Sequence, residues 1–285
     1  LLDNESKRHA MRKRAYLFGR EMTWPNVSKR YMESFERART ERRYYTPPEF
    51  AVKPLDQRPG EHTPLKLDHL RHMTDETGML QHAVFTMPNY GEGYATDDNA
   101  RALLVATLLE ALGSEEALDL AHRYLAFIWF SFNPETGRFR NFMDYQRRWL
   151  EDSGSDDSHG RVLWALGTVL GRSNTAAIQN MAGRVFETAL SAIRQTTSPR
   201  AWAFALLGIH EYLQRFAGDR RAGKVQEELA GRLLGLYELN RADDWHWFES
   251  SLTYCNAALP HAMITCGESM GNARMRAAGL EALEW

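Results

Sequence analysis

Four stretches of this chain open apolar, alanine-rich helical runs, and each follows a polar, aromatic or proline-containing segment. They are ARALLVATLLEAL, GRVLWALGTVLG, AWAFALLGIHEYL and NAALPHAMIT, read as helices opening near 98, 157, 199 and 254. A run that is apolar nearly all round belongs inside. The helices between them carry more charge, as in VQEELAGRLLGLYEL, and so keep one face in water. The starts are separated by 59, 42 and 55 residues, too irregular for a TPR or HEAT array. Long, uneven segments before each inner helix suit an all-α toroid, in which the inner helices run in one direction around a cavity and their N-termini collect at one mouth. Helices are expected near 66–74, 98–112, 115–131, 157–171, 175–194, 199–216, 222–239, 254–266 and 271–285. The best strand candidate is MLQHAVF, 79–85.

Two of the polar segments share a signature. TDDNAR puts Asp97 and Asp98 ahead of Arg101, and SDDSHGR puts Asp156 and Asp157 ahead of His159 and Arg161. Thr, Ser and Asp are good N-caps, and a negative charge suits the start of a helix, but capping uses one residue per helix. Successive residues at a helix start point about 100° apart, so a division of labour is expected. One Asp of each pair, Asp97 or Asp156, caps its helix and meets the nearby Arg; the other, Asp98 or Asp157, faces the cavity. Arg101 and Arg161 lie three or four residues on, where a same-face ion pair forms.

The chain has 285 residues and a formal net charge of −2, which gives no case for nucleic-acid binding. No 18-residue apolar run reads as a membrane span. The charged opening LLDNESKRHAMRKRAYLF is not a signal peptide. Cys255 and Cys266 form no metal-spacing motif or disulfide framework, and no His, Cys and Asp spacing reads as a metal site. A cytoplasmic protein is the default expectation. The first residue is not Met, and both ends read as mid-helix, so a piece of a longer chain is expected. Residues 1–43 are basic and read as two helices, about 4–19 and 25–43, with Thr23 as cap and Pro25 in the first turn. Residues 44–64 hold five prolines, Pro47, Pro48, Pro54, Pro59 and Pro64, and read as an extended linker before a domain covering 65–285.

Residues 1–43, through Ala15, Phe18, Trp24, Val27, Tyr31 and Phe35, resemble the last helices of bacterial family 4-type glycosyltransferases, enzymes with two Rossmann-like domains. Residues 66–285, through HMTDETGMLQHAVFTMPNYGEGYATDDNARAL, EDSGSDDSHGRVLWALG, SPRAWAFALLGIHEYL and WHWFESSLTYCNAALPHAMI, resemble the α/α-toroid extension that follows some of these transferases. The toroid class also houses glycosidases and sugar epimerases. The resemblance implies a glycan or oligosaccharide ligand, an upstream glycosyltransferase domain as partner, and a nucleotide-sugar donor bound in that missing domain, with no cofactor in residues 1–285. It implies six hairpins in a complete toroid, against about four here.

Glycoside cleavage needs a proton donor and a base or nucleophile, held roughly 6.5–9.5 Å apart in inverting enzymes and about 5–5.5 Å apart in retaining ones. The candidates are Asp97, Asp98, Asp156, Asp157 and Glu249, with a pair drawn from different helices favoured over neighbours in sequence. Burial beside Trp245, Trp247 or Tyr254 is what would raise the acid's pKa. Tyr94, Trp202, Trp247 and Tyr254 are candidate stacking surfaces for sugar faces, with Arg101, Arg161, Arg200, His159 and Asn256 as polar contacts. Trp149, Trp245 and Tyr90 lie in or beside the same loops, whereas Trp129 and Trp164 sit within helices and read as core. His159 follows an aspartate pair and stays balanced between acid–base work, as in toroidal epimerases, and a core role; His261, within ALPHAM, reads as core. The alternatives to a glycan-processing toroid are a non-catalytic glycan-binding or scaffold domain and a toroidal sugar epimerase.

Overall fold

A computed structural model describes residues 5–42 and 66–285. The chain divides into two units, Leu1–Pro64 and Leu65–Trp285. The proline-rich 44–64 segment lies outside the described residues.

The first unit holds helix α1 (Glu5–Gly19), a 3₁₀ turn (Arg20–Met22) and helix α2 (Trp24–Arg42). Thr23 caps α2 through its carbonyl, which accepts from the Asn26 and Val27 N–H groups at 2.9 Å. Its hydroxyl points the other way and donates to Arg20 O. Trp24 is 81% exposed, and Tyr16, Phe18, Tyr31 and Phe35 are exposed as well.

The second unit is all-α with minor two-stranded ladders. Its helices are α3 (Asp68–His72), α4 (Thr96–Ala111), α5 (Glu115–Ser131), α6 (Asp156–Arg172), α7 (Ala176–Ala189), α8 (Pro199–Arg215), α9 (Arg220–Asn240), α10 (Ala258–Ser269) and α11 (Ala273–Glu284). Contacts run α4 to α6 to α8 to α10, and each of these packs on the helix that follows it in sequence. The expected alternation of inner and outer helices is present, and the fold is an α/α toroid of four hairpins. Among the described residues no helix is long and apolar enough to cross a membrane.

Partners at both ends make the inner helices parallel. At the start of α4 and α6, Arg161 Nη1 donates to Asp97; at their ends, Glu110 accepts from Asn174 N and Thr175 Oγ1. Ser198, the N-cap of α8, donates to Asp157 in the first turn of α6, while Arg172 and Glu211 pair near the two C-termini. Glycine sets how closely α6 and α8 approach. A Cβ at Gly160, Gly167 or Gly171 would meet the carbonyl of Ala201, Gly208 or Glu211, and one at Gly208 would meet that of Leu163. The first three pairs keep a near-constant offset, the register of two parallel helices in backbone contact. Leu103, Leu163, Leu166, Phe204, Leu206, Leu259 and Met263 fill the ring wall and are fully buried; each apolar side chain of this size contributes about 1.5–3 kcal/mol relative to exposure.

Three expectations are corrected. The strand at 79–85 breaks into pieces: Met79 and Leu80 make single bridges to Thr74 and Tyr94, and only Ala83–Val84 (β1) pairs as a strand, with Met87–Pro88 (β2). Further short ladders join Tyr94–Ala95 (β3) to Phe142–Met143 (β6) and Phe132–Asn133 (β4) to Arg138–Phe139 (β5). Trp129 and His261 are exposed rather than core. Helix α10 begins at Ala258, later than position 254, because Cys255 has φ 49° and the chain before it is tied to Arg200.

Candidate functional site

The starts of α4 and α6 and the segment before α10 open onto one polar cavity of about 470 Å³. From α4 it takes Asp97, Asp98 and Arg101; from α6, Asp157 and Arg161; from the segment before α10, Tyr254. Gln81, His82, Asn141 and Phe142 complete the wall from the loops before α4 and α6. At least one aspartate of each pair therefore reaches the shared mouth.

Neither pair caps its helix. Ser155 is the N-cap of α6 and accepts from Ser158 N at 3.1 Å. For α4 the cap position falls on Ala95, which has no side-chain acceptor. The ladder between β3 and β6 brings Asn141 over this end instead: its Oδ1 accepts from Asp97 N at 3.0 Å and its backbone O accepts from Thr96 N at 2.8 Å. The aspartates are freed to bind between elements.

Asp97 accepts two bonds from Arg161 Nη1, at 2.7 and 2.6 Å, and one from Arg101. Arg161 is therefore not the same-helix partner of Asp157. It is buried, with its guanidinium 4.3 Å from the Phe204 ring centre, and its pairing ties α6 to α4. Asp157 accepts instead from Ser198 Oγ and the Tyr254 hydroxyl. Burial, then the bond to Asp157, pushes the Tyr254 phenol above its ordinary value. Asp156 leaves the cavity altogether. It accepts from Arg138 Nη2 at 2.8 Å and from Thr197 N at 2.8 Å. Burial alone would raise its pKa; the Thr197 N–H and Arg138 outweigh burial and hold the carboxyl below the usual range.

Asp98 differs from the other three. Its ion pair is a long one, 3.4 Å to Arg101, and its side chain is 23% exposed, inside the cavity. Burial raises its pKa, Arg101 lowers it less, and the neighbouring Asp97 charge raises it further. A partly buried carboxyl with a raised pKa at an open cavity is suited to giving up a proton.

Among solved structures, the chain is similar to a sugar epimerase from a ruminal bacterium, with a TM-score of 0.59 at 12% identity over 74% of this chain and 66% of that one. It is likewise similar to cellobiose 2-epimerase from Bacillus thermoamylovorans B4167, with a TM-score of 0.62 at 10% identity over 76% of this chain and 68% of that one. The chain thus spans about two thirds of the length of each. The shared property is the toroid fold. No family model matches the chain, and no curated protein gives a significant match.

Other expected site residues stand elsewhere on this toroid. Glu249 is held by Arg200 Nη1 through both carboxylate oxygens, at 2.9 and 2.8 Å. Arg200 also donates to Tyr254 O and, at 2.9 Å, to Asn256 Oδ1. This buried hub fixes the 249–256 loop, so Arg200, Glu249 and Asn256 position Tyr254 rather than line the cavity. Trp202 and Trp247 are core residues, and Trp202 Nε1 donates to Thr196 O. Tyr94 is buried, with its hydroxyl donating to Asp75 at 2.6 Å. Trp149 packs edge-on to Phe127. His159 is enclosed beside Phe139, its Nε2 3.2 Å from Ala189 O, and burial lowers its pKa to about 4. His82, Gln81, Asn141 and Phe142 were missed by sequence reasoning. The available signal was position alone: they lie in the long segments that precede inner helices, and such segments line the mouth of a toroid. Among the described residues, no group of three or more His, Cys, Asp or Glu is arranged to hold a metal ion.

Proposed function

We propose that the toroid binds and processes a carbohydrate in the cavity at the inner-helix mouth, with Asp98 as its proton donor. The observation that carries this reading is the contrast among the aspartates. Asp97, Asp156 and Asp157 are each engaged by two or more donors, whereas Asp98 faces the cavity with a raised pKa and one long ion pair. In glycoside cleavage Asp98 protonates the leaving oxygen as the C–O bond breaks. Water adds to the sugar carbon, and its proton passes to Asp157, the carboxylate contributed by the next inner helix. Solvent exchange then returns the proton to Asp98. Arg101, Arg161 and Asn141 offer donors to sugar hydroxyls.

The likeness to two sugar epimerases favours a second reading of the same cavity. Epimerisation exchanges a proton at a sugar carbon, with acid–base groups on both sides of it, and His82 and Asp98 both line the cavity. One experiment separates the two. The protein is incubated with oligosaccharides in deuterated water. New reducing ends mark hydrolysis, while deuterium at a sugar carbon without new ends marks epimerisation. Asp98→Asn should lower either turnover at least 100-fold, within the range for general acid–base catalysis, with saccharide binding retained. Full turnover in this variant would refute the role of Asp98.

The finer reading places this toroid behind a family 4-type glycosyltransferase, in a cytoplasmic setting. It rests on the resemblance of residues 1–43, and the exposed Trp24, Tyr31 and Phe35 fit helices whose apolar residues serve a preceding domain. Transfer of label from nucleotide-sugars by the full-length protein is the corresponding assay.

A further inference from the structure

The hairpin that carries His82 has a tip that folding stability does not explain. Asn89 N donates to His82 O at 2.8 Å, β1 pairs with β2, and the turn closes over Phe85 and Thr86. Phe85 has φ 57°. That is the left-handed region, which glycine commonly fills at the first central position of a two-residue turn, and in which a bulky residue is strained. Phe85 is also 92% exposed, with Val84 and Met87 exposed beside it. The ring therefore strains the backbone and buries almost nothing. Strain kept at one position without a packing gain points to a contact made in a complex.

The hairpin is continuous with the cavity. Gln81 and His82, at its base, line the wall. Three strand residues at about 3.3 Å each put the tip roughly 10 Å beyond His82, more than one sugar ring from the mouth. Just after the hairpin in sequence, the exposed ring of Tyr90 packs 4.9 Å from that of Tyr145, and Phe142 of β6 lines the cavity.

We propose that the 82–89 hairpin is a second saccharide subsite, in which Phe85 stacks on a ring of an oligosaccharide whose end unit occupies the cavity. The inference rests on the proposed carbohydrate function and adds that the substrate is an oligomer rather than a single sugar. An oligosaccharide fits better than a protein surface because the hairpin leads out of a polar cavity and its apolar patch is one narrow tip. Sugar C–H faces stack on aromatic rings of this kind, and a ring contact worth what an aromatic pair contributes changes affinity by about fivefold.

The test is calorimetric titration with glucose, mannose and galactose, each beside its linear oligomers of two to six units. The wild-type protein should bind a matching oligomer more tightly than its monosaccharide. Phe85→Ala should lower oligomer affinity about fivefold and leave the monosaccharide unchanged, and Phe85→Trp should retain the preference. Phe85→Gly should lose the preference while raising the thermal midpoint, since it relieves the positive φ; this separates ligand contact from folding damage. Equal losses on monomer and oligomer, or none on either, overturn the subsite. Loss of self-association in Phe85→Ala with saccharide affinity unchanged would assign the tip to a second copy of the chain and overturn it too. A wild-type protein that binds none of these saccharides refutes the carbohydrate function itself.

Discussion

Two adjacent aspartates at a helix start are told apart in sequence by position alone, which makes Asp156 the cap and turns Asp157 toward the cavity; in the structure Asp156 instead joins a hairpin to the next inner helix, and Asp157 lines the cavity. What separates them is the identity of donors 18 to 97 residues away, Arg138, Thr197, Ser198 and Tyr254. No local pattern reveals such partners. His159 shows the same limit. It follows an aspartate pair, as an acid–base histidine would, but its ring is enclosed by Phe139 and the chain at Ala189. Its placement sets a pH dependence. Burial lowers its pKa from 6.5 to about 4, so the unfolded chain takes up the proton first as pH falls. The stability from a neutral His159 is complete above pH 6.5 and is lost as pH falls from there towards about 4, by about 3 kcal/mol over the window. Urea denaturation of the wild type and His159→Gln across this range should show a shallower slope in the variant, whose amide can still donate to Ala189 O. Identical slopes would mean that other groups carry the acid sensitivity.

Among the elements, the helices were readable because alanine-rich runs alternate with charged ones, and these runs form the buried inner and the half-exposed outer helices. The short ladders were not, since pairs of two residues have no usable alternation, and β3 finds its partner β6 across an intervening hairpin. The seam between α6 and α8 was also hidden. Its glycines look like weak helix formers until the neighbouring carbonyls are seen. Gly167 and Gly208 face each other across the seam, whereas Gly231 and Gly235 in α9 have nothing within 4 Å of an added Cβ. Opposite outcomes follow from the same change. Gly167→Ala or Gly208→Ala should destabilise by about 2–3 kcal/mol, the cost of overpacking a rigid contact. Gly231→Ala or Gly235→Ala should stabilise by about 0.5–1 kcal/mol, the helix-propensity gain. Denaturant midpoints on the four variants check both signs, and a uniform stabilisation would show that the seam is loose.

For the toroid as a whole, the parallel inner helices decide where chemistry is possible, because they bring the starts of α4 and α6 and the segment before α10 to one mouth. The convergence of Asp97, Asp98 and Asp157 was legible from the sequence, since it depends only on which helices are inner. So was the turn of Asp98 and Asp157 toward the cavity. That Asp157 is engaged by two donors and Asp98 by one long ion pair was not legible, because it depends on how Arg161, Arg101, Ser198 and Tyr254 distribute their bonds around the ring. The resulting asymmetry gives a further test, in which stability and activity move independently. Asp98 is buried enough that its folded-state pKa is raised, and Asp97 beside it adds like charge. Its ionised form therefore costs stability at neutral pH, a cost tolerated at functional sites. Asp98→Asn removes the charge and should raise the thermal midpoint at pH 7 while saccharide turnover falls. Asp156 has a lowered pKa through Thr197 N–H and Arg138, so its charge stabilises the fold above its unfolded pKa and is lost below it. Asp156→Asn should lower the midpoint at pH 7, and the difference from wild type should shrink as pH falls towards the folded pKa. Calorimetric scans of both variants at pH 7 and in acid decide the matter. A midpoint that falls in both would mean that Asp98 is another strut between helices and that the proton donor must be sought elsewhere in the cavity.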